Sequence, residues 1–171
     1  MKQIGLFYGS TNGTTAQIAA LISQAFTHLG VTCELFDIAE YYLDEMLSFD
    51  CLILGIPTWN IGQLQADWEA IFDEFEELDL TGKQVALFGL GDQLGYPDTF
   101  VDALAFLADK VRERGAVLVG AWPTAGYAFH QSWAVTGDRF VGLVIDEHHQ
   151  AEQTLHRIAH WVQQLLSEFH L

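Results

Sequence analysis

The residues Cys51-Leu52-Ile53-Leu54-Gly55-Ile56 form an unbroken apolar run that stops at Pro57. A run of this kind suits a strand buried on both faces, and strands of that sort belong to parallel sheets covered by helices on either side. The rest of the chain keeps the same rhythm. Short apolar runs alternate with longer amphipathic segments, which predicts an α/β domain built on a parallel sheet.

In chain order, strands are expected at 4–8, 31–38, 51–56 and 83–89, with a fifth beginning at 116–120. Helices are expected at 14–29, 64–78, 98–114 and 150–170, with a short one over 39–47. Gly30 and Gly115 stop two of these helices, as glycine commonly does. On the last helix Leu155, Ile158, Val162, Leu165 and Phe169 share one face at helical spacing. Residues 122–138 break the rhythm, and a second apolar run, Phe140-Val141-Gly142-Leu143-Val144-Ile145, follows. The fifth strand is therefore expected to be interrupted by an insertion of roughly twenty residues, long enough to need structure of its own. The expectation is one doubly wound domain over residues 1–171, with strand order 2-1-3-4-5 and helices on both faces. Ligands of such sheets bind outside the carboxyl ends of the strands, where the order reverses.

Charge narrows the function. With 23 acids against 7 Lys plus Arg, the formal net charge is −16 at pH 7. Phosphate backbones demand Lys and Arg, so nucleic acid is excluded as a partner, and anionic membrane surfaces are disfavoured. No apolar run approaches the roughly 20 residues that span a bilayer, and no leader pattern opens the chain. Cys33 and Cys51 have neither disulfide-framework nor metal spacing. They read as reduced core cysteines of a cytoplasmic, monomeric protein.

Three loops at the reversal point stand out. After the first strand comes Gly9-Ser10-Thr11-Asn12-Gly13-Thr14-Thr15, which leads into a helix. A helix start offers unpaired N–H groups and the positive end of its dipole, and the hydroxyls add donors. A nucleoside triphosphate loop needs a Lys before its Ser or Thr. Thr14 stands there instead, and no Lys or Arg occurs between Lys2 and Lys83. A dinucleotide fingerprint is missing as well. A single terminal phosphate suits a nest of neutral donors. After the third strand come Pro57, Thr58, Trp59, Asn60, Ile61 and Gly62, where the indole offers a flat apolar face. After the fourth come Gly89, Leu90, Gly91 and Asp92, then Gln93, Leu94, Gly95 and Tyr96. The glycines admit a close backbone approach, and Tyr96 adds a second aromatic face. Singly, these loops are also compatible with a capped helix start, a sheet-end cap and a plain glycine turn. Together they fit a phosphorylated planar ring between Trp59 and Tyr96, and FMN has that shape.

At this point the chain resembles the long-chain flavodoxins over nearly its full length. The resemblance rests on Ile4–Ser10, on Leu54-Gly55-Ile56-Pro57-Thr58-Trp59, on Phe88-Gly89-Leu90-Gly91-Asp92-Gln93, on Phe140–Leu143 and on the insertion. It implies a flavodoxin-like fold and non-covalently bound FMN, with Ser10, Thr11, Asn12, Gly13, Thr14 and Thr15 on the phosphate. It implies Trp59 and Tyr96 against the ring, Asn60, Ile61 and Gly62 at the N5 edge, and Leu90, Gly91 and Asp92 at the pyrimidine edge. Thr99 and Asp146 match further contact positions. Asn12 stands where relatives often have Thr, and Thr14 where they often have a basic or other polar residue.

The function implied is a low-potential electron carrier, not an enzyme with its own substrate, cycling mainly between semiquinone and hydroquinone. The protein's negative field disfavours the anionic reduced flavin. The Asn60–Ile61 peptide is expected to turn its carbonyl to the protonated N5, eased by Gly62. Donors would be proteins such as a flavodoxin/ferredoxin-NADP reductase or a 2-oxoacid oxidoreductase. These and an acceptor enzyme would be steered to acidic surface such as Asp67, Glu69, Asp73, Glu74, Glu76, Glu77 and Asp79. The competing reading is a flavodoxin-like NAD(P)H quinone or azo reductase, against which the two aromatic plates and the lack of a second nucleotide motif argue. A phosphoreceiver domain would need acids at the end of the first strand, where Tyr8-Gly9-Ser10 stand. His156 and His160 are four residues apart on the last helix but lack the Glu of a zinc-protease helix. With His148 and His149, they read as surface residues.

Overall fold

The computed structural model describes residues 3–59 and 61–171. The elements are β1 (Ile4–Tyr8), α1 (Thr14–His28), β2 (Cys33–Asp37), a 3-10 turn (Leu43–Ser48), β3 (Cys51–Trp59), β4 (Gln63–Leu64) and α2 (Ala66–Phe75). They continue with β5 (Gln84–Leu90), α3 (Asp102–Glu113), β6 (Val117–Val119), β7 (Trp122–Pro123), β8 (Val135–Thr136), β9 (Arg139–Phe140), β10 (Leu143–Ile145), a second 3-10 turn (Ala151–Gln153) and α4 (Thr154–Glu168).

The central sheet runs β2-β1-β3-β5, all parallel, and its last position is shared. β6 pairs with Gln84–Ala86 of β5, and β10 pairs with Phe88–Leu90. This is the expected 2-1-3-4-5 order, with the fifth strand cut in two by the insertion. The insertion folds into its own antiparallel sheet, β7-β9-β8. It is tied down by the Tyr127 hydroxyl, which donates to Val144 O at 2.5 Å and accepts from Trp122 Nε1 at 3.1 Å. Burial pushes the Tyr127 hydroxyl up to about 12.

Alternate strand residues explain the unbroken apolar runs. Leu6, Ile53, Ala86 and Phe88 pack with Ile18, Ile22 and Phe26 of α1 and with Ile158, Trp161 and Leu165 of α4. Phe7, Leu52, Leu54, Val85 and Leu87 point the other way, to Trp68 and Phe75 of α2 and Leu104, Leu107 and Val111 of α3. The central strands β1, β3 and β5 have no solvent face to display, so they carry no polar alternation.

Several boundaries differ from expectation, for physical reasons. β3 runs on through Pro57 to Trp59, and Thr58 and Trp59 pair back with Leu64 and Gln63 of β4. β1 has already ended at Tyr8, opposite Gly55. Beyond that point Pro57 interrupts no ladder on the β1 side. α2 stops at Phe75, not 78, because its C-terminal end is acidic with no cation in the last turn, and carboxylates there oppose the helix dipole. α3 starts at Asp102, not 98, behind Val101 in a left-handed conformation with φ 49°. The helix expected at 39–47 is the 3-10 turn Leu43–Ser48. On α4, Leu155 is exposed and Trp161 is fully buried, so the apolar face is rotated away from Leu155. Cys33 and Cys51 are buried and outside any disulfide, and burial raises the Cys33 thiol to about 12.

Candidate functional site

A cleft of about 400 Å³ opens at the carboxyl ends of β1, β3 and β5, walled by Asn12, Thr14, Thr15, Pro57, Thr58, Trp59, Leu90, Gly91, Asp92, Tyr96 and Thr99. All of these were expected at the site. Phe100, Val101, Glu147 and His148 also line it and were not. Ser10, Thr11, Gly13, Ile61, Gly62, Gly89 and Asp146 stand outside that wall. Asn60 lies outside the described residues.

The loop after β1 is shaped by its own side chains. Ser10 Oγ accepts the Gly13 N–H at 3.1 Å, and Asn12 Oδ1 accepts the Thr14 N–H at 3.2 Å. Gly13 carries φ 88° and takes the N-cap position of α1 without a side-chain cap. A left-handed residue there favours glycine. No acid sits in the first turn of α1, so its dipole is free to meet an outside anion.

Beneath this loop lies a support with no obvious sequence signal. Gln65, fully buried, donates from Nε2 to Thr11 Oγ1 at 3.0 Å and to Asp67 Oδ2 at 2.8 Å. Its Oε1 accepts the Trp68 N–H at 3.3 Å and so caps α2. Trp68 Nε1 donates to Gly55 O at 2.9 Å. A Cβ on Gly9 would overlap Gln65 Oε1 and come within 2.8 Å of Trp68 Cδ1. Gly9 is therefore required by what packs on it.

The aromatic walls are placed differently. Trp59 is half-buried at the end of β3, and its Nε1 is buried with no protein hydrogen-bond partner. Next to it, Thr58 Oγ1 accepts the Ala103 N–H at 3.2 Å, which caps α3 from another element. Tyr96 is 43% exposed and stands at the rim. Ile61 is exposed, and Gly62, with φ 79°, turns the chain into β4. A Cβ on Gly62 would lie 3.2 Å from Asp102. Gly89 and Gly91 let Leu104 and Phe100 approach the end of β5 closely.

Asp146 is fully buried, and its carboxylate is saturated. Oδ2 accepts the Gln93 N–H at 3.1 Å and Gln93 Nε2 at 2.8 Å, while Oδ1 accepts the N–H groups of His148 and His149 at 3.0 and 3.1 Å. It ties the loop after β5 to the turn after β10. Gln93 Oε1 in turn accepts the Ala128 N–H at 2.6 Å, which braces the loop against the insertion. Asp92 Oδ1 accepts the N–H groups of Leu94 and Gly95 at 3.2 and 2.6 Å and meets His149 Nε2 at 2.7 Å. Burial opposes ionisation of Asp92, but the Gly95 N–H and His149 outweigh it and hold the carboxyl below its usual range. His156 and His160 are exposed, with ring centroids 4.3 Å apart. Among the described residues, the group of three potential metal ligands is Asp92, Asp146 and His149.

This arrangement offers neutral anion donors at one end, aromatic walls along the middle and carboxylates at the far end. Among the described residues, no Lys or Arg lines it.

The comparisons with known proteins agree. The family model described as Flavodoxin matches residues 6–161. A flavodoxin of Picosynechococcus is 47% identical over 171 residues, covering all of both chains. Flavodoxin 1 of Escherichia coli is 46% identical, over 100% of this chain and 97% of its own. The crystal structure of a Fusobacterium nucleatum flavodoxin bound to flavin mononucleotide superposes with a TM-score of 0.92 at 32% identity, over 98% of this chain and 99% of that one.

Proposed function

The chain belongs to the flavodoxin family, and we propose that it carries electrons between redox proteins on FMN bound non-covalently in this cleft. The observation that carries the reading is the meeting, at one sheet end, of a neutral anion cradle with the walls of Trp59 and Tyr96. The residues fit the group. The helix start of α1 and the hydroxyls of Ser10, Thr11, Thr14 and Thr15 suit a phosphate, and the orphaned Trp59 Nε1 has a donor to give. FMN supplies one-electron redox chemistry when bound, and the protein sets its potential.

The residues of this chain act as follows. Ser10–Thr15 hold the phosphate. Trp59 and Tyr96 cover the ring and exclude water from it. Ile61 and Gly62 border one ring edge, and Leu90, Gly91, Asp92 and Thr99 the other. Asp146, whose carboxylate accepts four N–H bonds, holds two loops in place. Asp92 and Glu147 on the cleft wall, uncompensated by any Lys or Arg there, disfavour added negative charge and so lower the potential of the last electron.

The partners are basic faces of a donor such as a ferredoxin- or flavodoxin-type reductase or a 2-oxoacid oxidoreductase, and of an acceptor enzyme. The exposed acids Glu69, Asp73, Glu74, Glu76, Glu77 and Asp79 would steer them, so association should slow as salt rises. No described helix is long and apolar enough to cross a membrane. Buried reduced thiols fit a monomer working in the cytoplasm.

The test is to add FMN to the apoprotein and reduce the complex stepwise while recording the visible spectrum. Two resolved one-electron stages support the carrier, and failure to bind FMN overturns it. NAD(P)H oxidation with a quinone, and without any reductase, would identify a quinone reductase instead.

A further inference from the structure

Asp92, Asp146 and His149 bring ligand atoms within 4.8 Å of one another, yet the hydrogen bonds around them describe something other than a metal site. Asp146 is closed off by its N–H donors. Asp92 Oδ1 already accepts two backbone N–H groups and points at His149 Nε2. An ionised carboxylate oxygen can only accept, so His149 Nε2 carries the hydrogen and donates it. The other ring nitrogen, Nδ1, is left to bind or release a proton. The same Asp92 lines the cleft and accepts the Tyr96 N–H on its carbonyl at 2.9 Å, so it shapes the turn that presents the Tyr96 wall. Gly95 permits the turn, since a Cβ there would overlap Asp92 Oδ2.

We propose that His149 is a positioning residue that pins Asp92 at the cleft wall and carries a proton-dependent positive charge offsetting the charge of the reduced cofactor. The proposal rests on reading this cleft as the FMN site. When the donor passes the last electron to the cofactor, one proton moves from solvent to His149 Nδ1. The electron comes from the redox partner, no covalent bond in the protein breaks, and the Nε2–H···Asp92 bond persists. Histidine is the side chain suited to this, because it changes charge between about pH 5 and 8. The charged and titratable groups facing it are Asp92 at 2.7 Å, Asp146 in the same cluster and His148, whose ring centroid is 6.2 Å away. Glu147 of the same turn is taken up by the Thr154 hydroxyl at 2.6 Å, and Arg157 lies over the Tyr127 ring at 4.0 Å.

The sign follows from linkage. Added negative charge makes His149 hold its proton more tightly, so reduction is easier at low pH and harder once His149 is neutral. The experiment measures the potential of the last electron step between about pH 5 and 8 in the FMN-loaded wild type, His149→Gln and His148→Gln. Gln at 149 keeps a donor for Asp92 and removes the titration. A proton bound about tenfold more tightly on reduction appears as a rise of about 59 mV toward low pH. That rise should vanish in His149→Gln, leaving the wild type's high-pH value at every pH, and should survive in His148→Gln. Nitrogen NMR of the apoprotein should show hydrogen on Nε2 of His149 throughout. An unchanged rise in His149→Gln, or a rise lost only in His148→Gln, overturns the inference while leaving FMN binding intact. A wild type that binds no FMN would instead overturn the reading of the cleft, and the inference with it.

Discussion

The loop after β1 and the loop after β5 face the same cleft but are held by opposite means. The first is neutral. Ser10 and Asn12 close it on itself, and Gln65 and Trp68 fill the space beneath Gly9. The second is charged. Asp92 and Asp146 gather N–H groups around carboxylates, and His149 Nε2 meets Asp92. Close packing fixes geometry independently of pH, whereas a carboxylate network fixes it only while ionised.

The difference can be broken most severely at Asp146. Asp146→Ala leaves buried N–H groups from two loops without an acceptor and should cost about 3 kcal/mol, read as a lower urea midpoint. A cost near zero would mean that water replaces the carboxylate and the network is not structural. Next comes Gly9→Ala, whose methyl collides with Gln65 and Trp68. We expect a loss of about 2 kcal/mol, the same at pH 5 as at pH 7, together with weaker FMN binding. If FMN affinity is untouched, the support beneath the phosphate loop does not set its shape.

A smaller effect sharpens the comparison by its pH dependence. The folded state holds the Asp92 carboxyl below its usual range, so its contribution is fully present above the unfolded carboxylate value, about 3.9. It is lost as pH falls through the folded value. Asp92→Asn should therefore be less stable than wild type by about 1 kcal/mol at neutral pH, and the two unfolding curves should converge in acid. Parallel curves at all pH values would show that ionisation of Asp92 is not what holds the loop. Smallest in stability is Tyr96→Ala. The rim position of the ring predicts a change within about 0.5 kcal/mol, but a roughly tenfold loss of FMN affinity, since aromatic contacts are worth about 0.5–1.5 kcal/mol. Fluorescence titration with FMN checks it, and unchanged affinity would remove Tyr96 from the ring's surroundings.

Much of this was legible before any coordinates. The apolar runs announced strands with no wet face, and the turn chemistry of Gly9–Thr15 announced the start of a helix. Trp59 and Tyr96 both stand on the cleft. What escaped were partners far apart in sequence. Gln65 lies 54 residues from Thr11, and His149 lies 57 from Asp92. A glutamine before a helix or a histidine after a strand has no pattern that names its partner. His148 and His149 were visible only as neighbours of one another. Asp146 matched a contact position, and in the structure its carboxylate accepts three backbone N–H groups and the Gln93 side-chain amide. Leu155 followed the helical spacing but fell just off the face that Trp161 occupies.

The sequence by itself determined the class of sheet, its order, the break in its last strand and the end at which a ligand would bind. Periodicity and turn chemistry are local, and a few residues suffice to specify them. Only the tertiary structure decided which side chains brace the cleft and with what charge. Thr58 caps a helix through the N–H of Ala103, 45 residues later. A single buried carboxylate joins loops 53 residues apart. Such contacts depend on where folded elements come to rest, and any donor or acceptor of the right reach could have supplied them.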